Sequence, residues 1–244
     1  MNKNELKKFA LKLDYNLAQA ELDYYQHYIL GKLFEKFNNI YFKGGTCLQK
    51  CYGIKRFSED LDFNFIDLDI KEIISVVEKQ LDSKISDLFE NNFGISFSIK
   101  FKGILFDGDQ RTLCKISFDF RKEGVLKKPL KKIIQPIYDD LLDYFLLALD
   151  EEEILAEKIR ATLTRYKARD VFDLYELFRK GVLFDEQLVN KKLEAYGLKF
   201  NIEDFNEKLN EKKAIYDEEM KRLTKFYPNF KDCYDLIVSR IKSI

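Results

Sequence analysis

The chain of 244 residues predicts an α+β fold in two parts: a mixed β-sheet domain with flanking helices over residues 1–150, followed by an α-helical bundle over residues 151–244. Two patterns predict this fold. Short segments in which apolar and polar residues alternate, as in half-buried strands, all lie in the first part. In the second part, apolar residues recur every three or four positions, which is the period of amphipathic helices.

The individual elements follow from this periodicity and from the residues that interrupt it. Gly44-Gly45 opens a short helix and Gly53 ends it, and Asp107-Gly108-Asp109-Gln110 is a hairpin turn. In the first part we predict a helix over 3–37, a strand over Ile40–Lys43, a helix over Thr46–Tyr52, a strand over Asp60–Ile66, a helix over 70–91, and strands over 95–106, 111–120, Ile133–Tyr138 and Tyr144–Leu149. In the second part we predict helices near 151–180, 185–197, 202–226 and 230–243.

The composition excludes several classes of chemistry. Lys and Arg together number 42, as do Asp and Glu, so the net charge is zero; neither part is basic overall, which argues against tight nonspecific nucleic-acid binding. His27 is the only histidine, which excludes Ser-His-Asp and Cys-His catalysis and a His-rich metal site. The four cysteines lack the spacing of a zinc site. Catalysis would therefore depend on carboxylates, lysines, arginines and hydroxyls.

The N-terminal segment MNKNELKKFALKLD is charged throughout, unlike a secretory signal peptide. No apolar run approaches the roughly 20 residues that a membrane span needs. The sequence therefore predicts a cytoplasmic protein with reduced cysteines and no membrane partner.

The strongest candidate site combines a glycine turn with a pair of aspartates. Gly44-Gly45-Thr46 is followed, after eleven residues, by Ser58-Glu59-Asp60-Leu61-Asp62. Ser58, Asp60 and Asp62 alternate, so on a strand their side chains share one face. Neighbouring carboxylates repel unless a cation lies between them, and Mg²⁺ takes oxygen ligands from carboxylates and phosphates. Backbone amides of a glycine turn that opens a helix can hold a phosphate.

Each half of this site also has an ordinary structural explanation. Aspartates two positions apart on a strand are commonly solvated edge residues, and a glycine pair commonly marks a turn. The combination is more specific, because it places metal ligands and phosphate donors within reach of each other. Asp119 would add a third metal ligand, because it points away from the apolar residues of the strand Lys115–Phe120.

A second candidate group lies in the first helical segment of the second part. If that helix is continuous, one face carries Lys158, Thr162, Arg165 and Arg169. Cations that share a face need anions nearby, and phosphates would satisfy them. Asp170, Asp173 or acidic residues of the first part would do so equally well, and an ordinary solvated face is a further explanation.

A third feature is the basic segment 121–132, which directly follows the strand that carries Asp119. It contains six basic residues and one acidic residue. The segment could guide a nucleic acid toward the site or form a solubilising loop, and the sequence leaves both explanations open.

These motifs resemble those of the AbiEii/AbiGii toxin family, a branch of the DNA polymerase β-like nucleotidyltransferases. The family pattern is a GGT, then R-x-S-x-D-L-D-F, and later K-x-R-A-x-x-x-R-x-x-x-R-D-x-x-D-L. The chain matches it with Gly44-Gly45-Thr46, with Arg56-Phe57-Ser58-Glu59-Asp60-Leu61-Asp62-Phe63, and with Lys158 to Leu174. The resemblance implies a nucleotidyltransferase-like mixed-sheet domain followed by a helical bundle, with the active site in the cleft between them.

The resemblance also implies a role for each matched residue. Asp60 and Asp62 would be catalytic and would hold Mg²⁺ or Mn²⁺ together with the NTP phosphates, and Asp119 matches the third metal-binding carboxylate by position. Lys158 would be catalytic, contacting phosphate or stabilising developing charge, and Asp170 would be a catalytic or orienting acid. The implied nucleotide-binding residues are Gly44, Gly45, Thr46, Ser58, Arg165 and Arg169.

The implied reaction is transfer of NMP from an NTP to an acceptor hydroxyl. GTP and CTP are the candidate nucleotides, and an RNA such as the 3′ end of tRNA is a candidate acceptor. A toxin of this kind implies a cognate antitoxin and a role in abortive infection. The alternative is a catalytically idle protein that uses the same cleft to bind a nucleotide or a partner.

Overall fold

The computed structural model describes residues 1–242, in which the chain forms two compact units. The first consists of Met1–Tyr52, Ser58–Val125 and Pro129–Ala148. The second consists of Gly53–Phe57, Leu126–Lys128 and the residues from Leu149 onward. The second unit therefore includes two short segments that the chain contributes before its last helices begin.

The first unit is a seven-stranded mixed sheet with helices, which confirms the predicted fold class. Its elements are α1 (Lys3–Leu13), α2 (Leu17–Lys36), β1 (Ile40–Lys43), α3 (Gly44–Tyr52), β2 (Asp60–Phe65), α4 (Ile70–Leu81), β3 (Ile85–Asn91), β4 (Gly94–Phe101), a 3₁₀ turn (Gln110–Thr112), β5 (Cys114–Arg121), β6 (Leu130–Ile134) and β7 (Tyr144–Ala148). The strand order is β3-β4-β5-β2-β1-β7-β6.

Strand β2 is at the centre of the sheet, between antiparallel β1 and parallel β5. One face of these strands is aromatic, because Phe42 is in register with Phe63 and Phe63 with Phe120. All three side chains are buried, and the rings of Phe63 and Phe120 stack with their centroids 4.7 Å apart. This packing sets the register, since a slip of one residue would turn the carboxylates of β2 into the core.

The second unit contains helices α5 (Glu151–Thr164), α6 (Arg169–Arg179), α7 (Glu186–Glu194), α8 (Ile202–Glu211), α9 (Lys213–Leu223) and α10 (Phe230–Lys242). Two buried carboxylates anchor its two short segments. Asp173 accepts hydrogen bonds from Arg56, and Glu153 accepts from the backbone N–H groups of Leu126 and Lys127. Within the described residues of either unit, no helix has both the length and the apolar character needed to cross a membrane.

Two predicted helices of the first unit are wrong in extent. The segment 3–37 forms two helices, because Asp14 ends α1 with a left-handed backbone (φ 59°) and Asn16 caps α2. The segment 70–91 is helical only to Leu81, and Asp82 is left-handed again (φ 45°). Residues 85–91 form β3 instead. Aspartate can adopt this conformation without glycine, so the spacing of apolar residues did not reveal either helix end.

The predicted hairpin between β4 and β5 is also different. The two strands pair antiparallel, as expected. However, β4 ends at Phe101 and β5 begins at Cys114, so residues 102–113 form a longer connection that includes the 3₁₀ turn. Thr112 closes this connection by donating to Asp107 and to the carbonyl of Asp109, which a two-residue hairpin turn would not need.

Candidate active site

The polar face of the central strands carries the predicted carboxylates. Asp62 is in register with Lys43 of β1 on one side and with Asp119 of β5 on the other, so the three side chains project from the same face. Asp60 lies two residues earlier on β2, beside Ser117. Strands β2 and β5 thus place Asp60, Asp62 and Asp119 on one half-buried face, opposite the aromatic core.

Gly44 brings the start of α3 against Asp62. Its φ is +75°, in the left-handed region that favours glycine. A Cβ at this position would lie 2.1 Å from Oδ2 of Asp62, so any other residue would collide with the carboxylate. The first turn of α3 has backbone N–H groups without partners inside the helix and carries a partial positive charge. The Asp62 carboxylate is therefore next to the anion-attracting end of this helix.

Thr46 and Ser58 contribute to the local structure around these aspartates. The Thr46 side chain is fully buried, and its hydroxyl donates to the carbonyl of Asp60 at 2.5 Å, which ties α3 to the first residue of β2. Ser58 is buried too, and its carbonyl accepts from Nε2 of Gln26 at 3.0 Å. A direct role for either side chain in phosphate binding stays a prediction, as do the roles of Gly44 and Gly45.

Asp119 has a strong partner in Arg121, two residues further along β5. Nε of Arg121 lies 2.5 Å from Oδ1 of Asp119, and Nη2 donates to Oδ2 at 2.8 Å. Within residues 1–242, no group of three or more His, Cys, Asp or Glu side chains is arranged to hold a metal ion. Asp119 would therefore have to exchange part of its contact with Arg121 to become a third ligand.

The donor set still fits a hard divalent cation. Asp60 and Asp62 supply oxygen atoms from one face, beside a helix end that attracts anions. Mg²⁺ is commonly bound by only one or two carboxylates, with substrate phosphates and water completing the coordination. A complete protein cage is consequently not required at this site.

The second predicted group of residues forms a buried ion-pair network. Nζ of Lys158 lies 3.0 Å from Oδ1 of Asp170 and 2.6 Å from Oδ2 of Asp173. Arg165 contacts both oxygens of Asp170 at 2.8 Å, and Arg56 contacts both oxygens of Asp173. Burial works to raise the pKa of Asp170, but the charges of Lys158 and Arg165 outweigh it and hold that pKa well below its ordinary value.

The prediction of one continuous helix through these residues is wrong. Helix α5 ends at Thr164 and α6 begins at Arg169. The ion pairs explain the break: on a continuous helix, Lys158 and Asp170 would lie about 18 Å apart along the axis, and Arg165 and Asp170 would point about 140° apart. The hydroxyl of Thr162 bonds the carbonyl of Lys158, within its own helix.

The structure separates these residues by their access to solvent. Lys158 and Asp170 are buried, whereas the side chain of Arg165 is 44% exposed. Arg169 is half-buried at the start of α6. The network therefore presents the Arg165 guanidinium at the surface and keeps the charges that hold it inside. Direct substrate contact by Lys158, Asp170, Arg165 or Arg169 stays a prediction.

The basic segment 121–132 is partly engaged with neighbouring groups. Lys127 pairs with Glu152, and Lys122 lies 3.5 Å from Glu90. The ammonium groups of Lys131 and Lys132 lie over the rings of Phe145 and Tyr52, at 4.1 and 4.5 Å from the ring centroids. These contacts give most of its lysines a structural environment, and the proposal that the segment guides a nucleic acid stays open.

Sequence reasoning missed several residues of this site. Lys43 could have been found, because it alternates with the core residue Phe42 and so shares the face of Asp62. Arg121 could have been found in the same way, two positions after Asp119. Gln26 had no local signal, since it lies inside a helix and reaches a segment 32 residues away in the chain.

The chain matches the family described as "Nucleotidyl transferase AbiEii toxin, Type IV TA system" over residues 29–236. None of the curated proteins matches it. Its fold is similar to that of MenT4, a nucleotidyltransferase toxin from Mycobacterium tuberculosis H37Rv, with a TM-score of 0.67 and 21% identity over 98% of this chain and 88% of the other. It is also similar to JHP933 from Helicobacter pylori, with a TM-score of 0.58 and 18% identity over 93% of this chain and 90% of the other.

Proposed function

We propose that this chain, which belongs to the AbiEii family of nucleotidyl transferase toxins, transfers NMP from an NTP to the hydroxyl of an RNA acceptor such as the 3′ end of tRNA. Family membership makes the chain a toxin-type nucleotidyltransferase and implies an antitoxin partner. In the reaction, the acceptor oxygen forms a bond to the α-phosphorus. The bond between the α-phosphorus and the oxygen that bridges it to the β-phosphate breaks, and pyrophosphate leaves. The proton of the acceptor hydroxyl passes to a base.

The proposal depends above all on the contact between Gly44 and Asp62. A helix end that attracts anions and a strand that carries two carboxylates meet so closely that only glycine fits between them. This arrangement would hold a phosphate through the amides of α3 while Asp60 and Asp62 face the same phosphate from β2. Lys43, in register with Asp62, lies on the same face, where its Nζ is 3.4 Å from Glu123.

Asp60 and Asp62 would hold Mg²⁺ or Mn²⁺, which when bound supplies positive charge that stabilises the negative charge developing on the phosphate oxygens. Asp119 is the third carboxylate of this face. It would become a metal ligand if one of its oxygens were released from Arg121. The buried network of Lys158, Asp170 and Asp173 favours a positioning role, in which Asp170 holds the exposed guanidinium of Arg165 in a fixed orientation.

The deciding experiment is incubation of the protein with each labelled NTP, Mg²⁺ and total tRNA. Wild type is compared with Asp60→Asn and Asp62→Asn, and with Asp67→Asn as a matched control. Asp67 is exposed and has a positive φ, which asparagine tolerates, so the control makes the same charge change just beyond β2. We expect each site variant to lose at least about 100-fold in transfer rate and the control to keep its rate.

Two results would overturn the proposal in different ways. Transfer that survives both Asp60→Asn and Asp62→Asn would reject the assigned carboxylates. NTP binding without transfer to any acceptor would favour the idle binding protein.

A further inference from the structure

Helix α2 carries buried polar residues where a core helix would normally carry apolar ones. Glu21, Asp23 and Gln26 are all buried, and the side chain of His27 is nearly so. Buried polar groups are unfavourable unless they find partners, so each of these residues indicates a specific contact. Two of these residues contact the elements that carry the proposed phosphate site.

Gln26 holds the segment that leads into β2. Its side chain is fully buried, and Nε2 donates to the carbonyl of Ser58 at 3.0 Å and to the carbonyl of Glu59 at 2.9 Å. These are the two residues immediately before Asp60. Its Oε1 has no hydrogen-bond partner within the described residues. The side chain therefore serves as a donor. Its two hydrogen bonds fix the position at which the strand that carries Asp60 and Asp62 begins.

Asp23 holds helix α3, one turn earlier on the same face of α2. Its Oδ1 lies 2.7 Å from Nζ of Lys50, and its Oδ2 accepts from the hydroxyl of Tyr138 at 2.8 Å. The side chain of Lys50, in the last turn of α3, is almost completely buried. This ion pair anchors the C-terminal half of the helix whose first residue is Gly44.

We infer that α2 positions both arms of the phosphate site, with Gln26 setting the carboxylate strand and Asp23 setting the glycine-opened helix. The inference rests on the function proposed above. Residues three apart on a helix lie on one face, so a single rigid element controls both arms. Such control is needed because the two arms meet at Gly44 and Asp62 without space for a methyl group. Gln26 and Asp23 are positioning residues and do not touch substrate.

The test compares Gln26→Met with Glu21→Met in the full-length chain. Both variants replace a buried polar side chain of α2 by an apolar one of similar length. Glu21 accepts from the backbone N–H of Leu105, in the connection between β4 and β5, and touches neither arm. Backbone hydrogen–deuterium exchange is measured without nucleotide or metal, and transfer kinetics are measured with both.

For Gln26→Met we expect faster exchange at residues 58–62 and a fall in kcat of about 10- to 100-fold, the cost of misplacing reacting groups by a fraction of an ångström to an ångström. For Glu21→Met we expect faster exchange near Leu105 and an unchanged kcat. The pair Asp23→Asn with Lys50→Gln removes the two buried charges together, so that neither is left without its partner. It should lower kcat as well and raise exchange in α3.

Three outcomes would overturn the inference. The first is unchanged exchange at residues 58–62 in Gln26→Met. The second is faster exchange at these residues in Gln26→Met with an unchanged kcat. The third is an equal loss of kcat in Gln26→Met and Glu21→Met. A wild-type chain that transfers nothing would reject the proposed function alone. The exchange comparison would still decide whether Gln26 and Asp23 hold the two arms.

Discussion

Gly44 is the residue on which the geometry of the proposed site depends most directly. Gly44→Ala would place a methyl carbon 2.1 Å from Asp62 Oδ2 in a backbone conformation that already costs alanine about 1–2 kcal/mol. We expect lower stability and loss of transfer, because the strand and helix must separate. Gly53→Ala is the matched control: Gly53 has a φ of +69° but nothing within 4 Å of its Cβ position.

Thermal unfolding and transfer rates of these two variants separate conformational strain from the collision with Asp62. Gly53→Ala should lower Tm slightly and leave the transfer rate unchanged. Equal effects of the two substitutions on Tm and on activity would show that the close approach of Gly44 to Asp62 contributes to neither stability nor transfer.

His27 makes a second prediction at this scale. Burial, followed by the charge of Lys50, lowers its pKa from 6.5 to about 3, against the opposing effect of Asp23. The folded state therefore keeps His27 neutral where the unfolded chain would bind a proton. The free energy of unfolding should fall as the pH drops from 6.5 toward 4.5, by at most about 1.4 kcal/mol per pH unit.

The control is His27→Gln, which can still bond the hydroxyl of Tyr144, the partner of His27 Nδ1. Urea denaturation at several pH values should show a flatter pH dependence for this variant in the same window. Identical slopes for the two proteins would mean that the pKa of His27 is the same in the folded and unfolded states. The difference between the two proteins therefore reports the histidine together with its coupling to Asp23, whose Oδ2 lies 3.7 Å from Nε2 of His27.

Alternation of side chains along strands was enough to predict the shared face of Asp60, Asp62 and Asp119, because burial of the aromatic face leaves only one register. It could not predict the contact of Asp119 with Arg121. It also could not predict the contacts of Gln26, which depend on how a helix packs against distant loops.

At the scale of elements, the break between α5 and α6 also depends on contacts that local spacing does not reveal. Helical spacing predicts one helix, but the charges of Lys158, Arg165, Asp170 and Asp173 can pair only if the chain turns after Thr164. Tertiary ion pairing thus outweighs local periodicity here. The motif was visible in the sequence, whereas its folded arrangement also depends on Arg56, which is 117 residues from Asp173 in the chain.

Asp173→Asn tests this network. The change would leave Arg56 and Lys158 with reduced compensation in a buried site, and breaking one partner of a buried ion pair costs about 3–5 kcal/mol. Urea denaturation should show a loss of this order. Glu218→Gln is the control, because the Glu218–Arg222 pair is exposed and contributes little to stability. If Asp173→Asn were as stable as the control, the ion-pair network would not contribute to the stability of this unit.

At the scale of the whole chain, composition and periodicity predict a single boundary near Asp150. The second compact unit also contains Gly53–Phe57 and Leu126–Lys128. Neither segment has helical spacing, so nothing local assigns them to the helices. Their assignment follows from Arg56 and from the backbone N–H groups that reach buried carboxylates. The two segments join the second unit because buried charges there need partners from elsewhere in the chain. Local sequence patterns do not contain that information.

A fragment of residues 149–244 should consequently fold poorly by itself. It would keep Asp173 and Glu153 but lose Arg56 and the backbone N–H groups of Leu126 and Lys127, leaving buried carboxylates short of partners. We expect no cooperative urea transition by circular dichroism, in contrast to the full-length chain. The same fragment with Glu153→Gln should recover part of its structure, because Glu153 and Glu157 share the single buried cation of Lys192 and the excess negative charge is then removed. If the unmodified fragment unfolded cooperatively at the urea midpoint of the full chain, the two short segments would not be needed for the fold of the second unit.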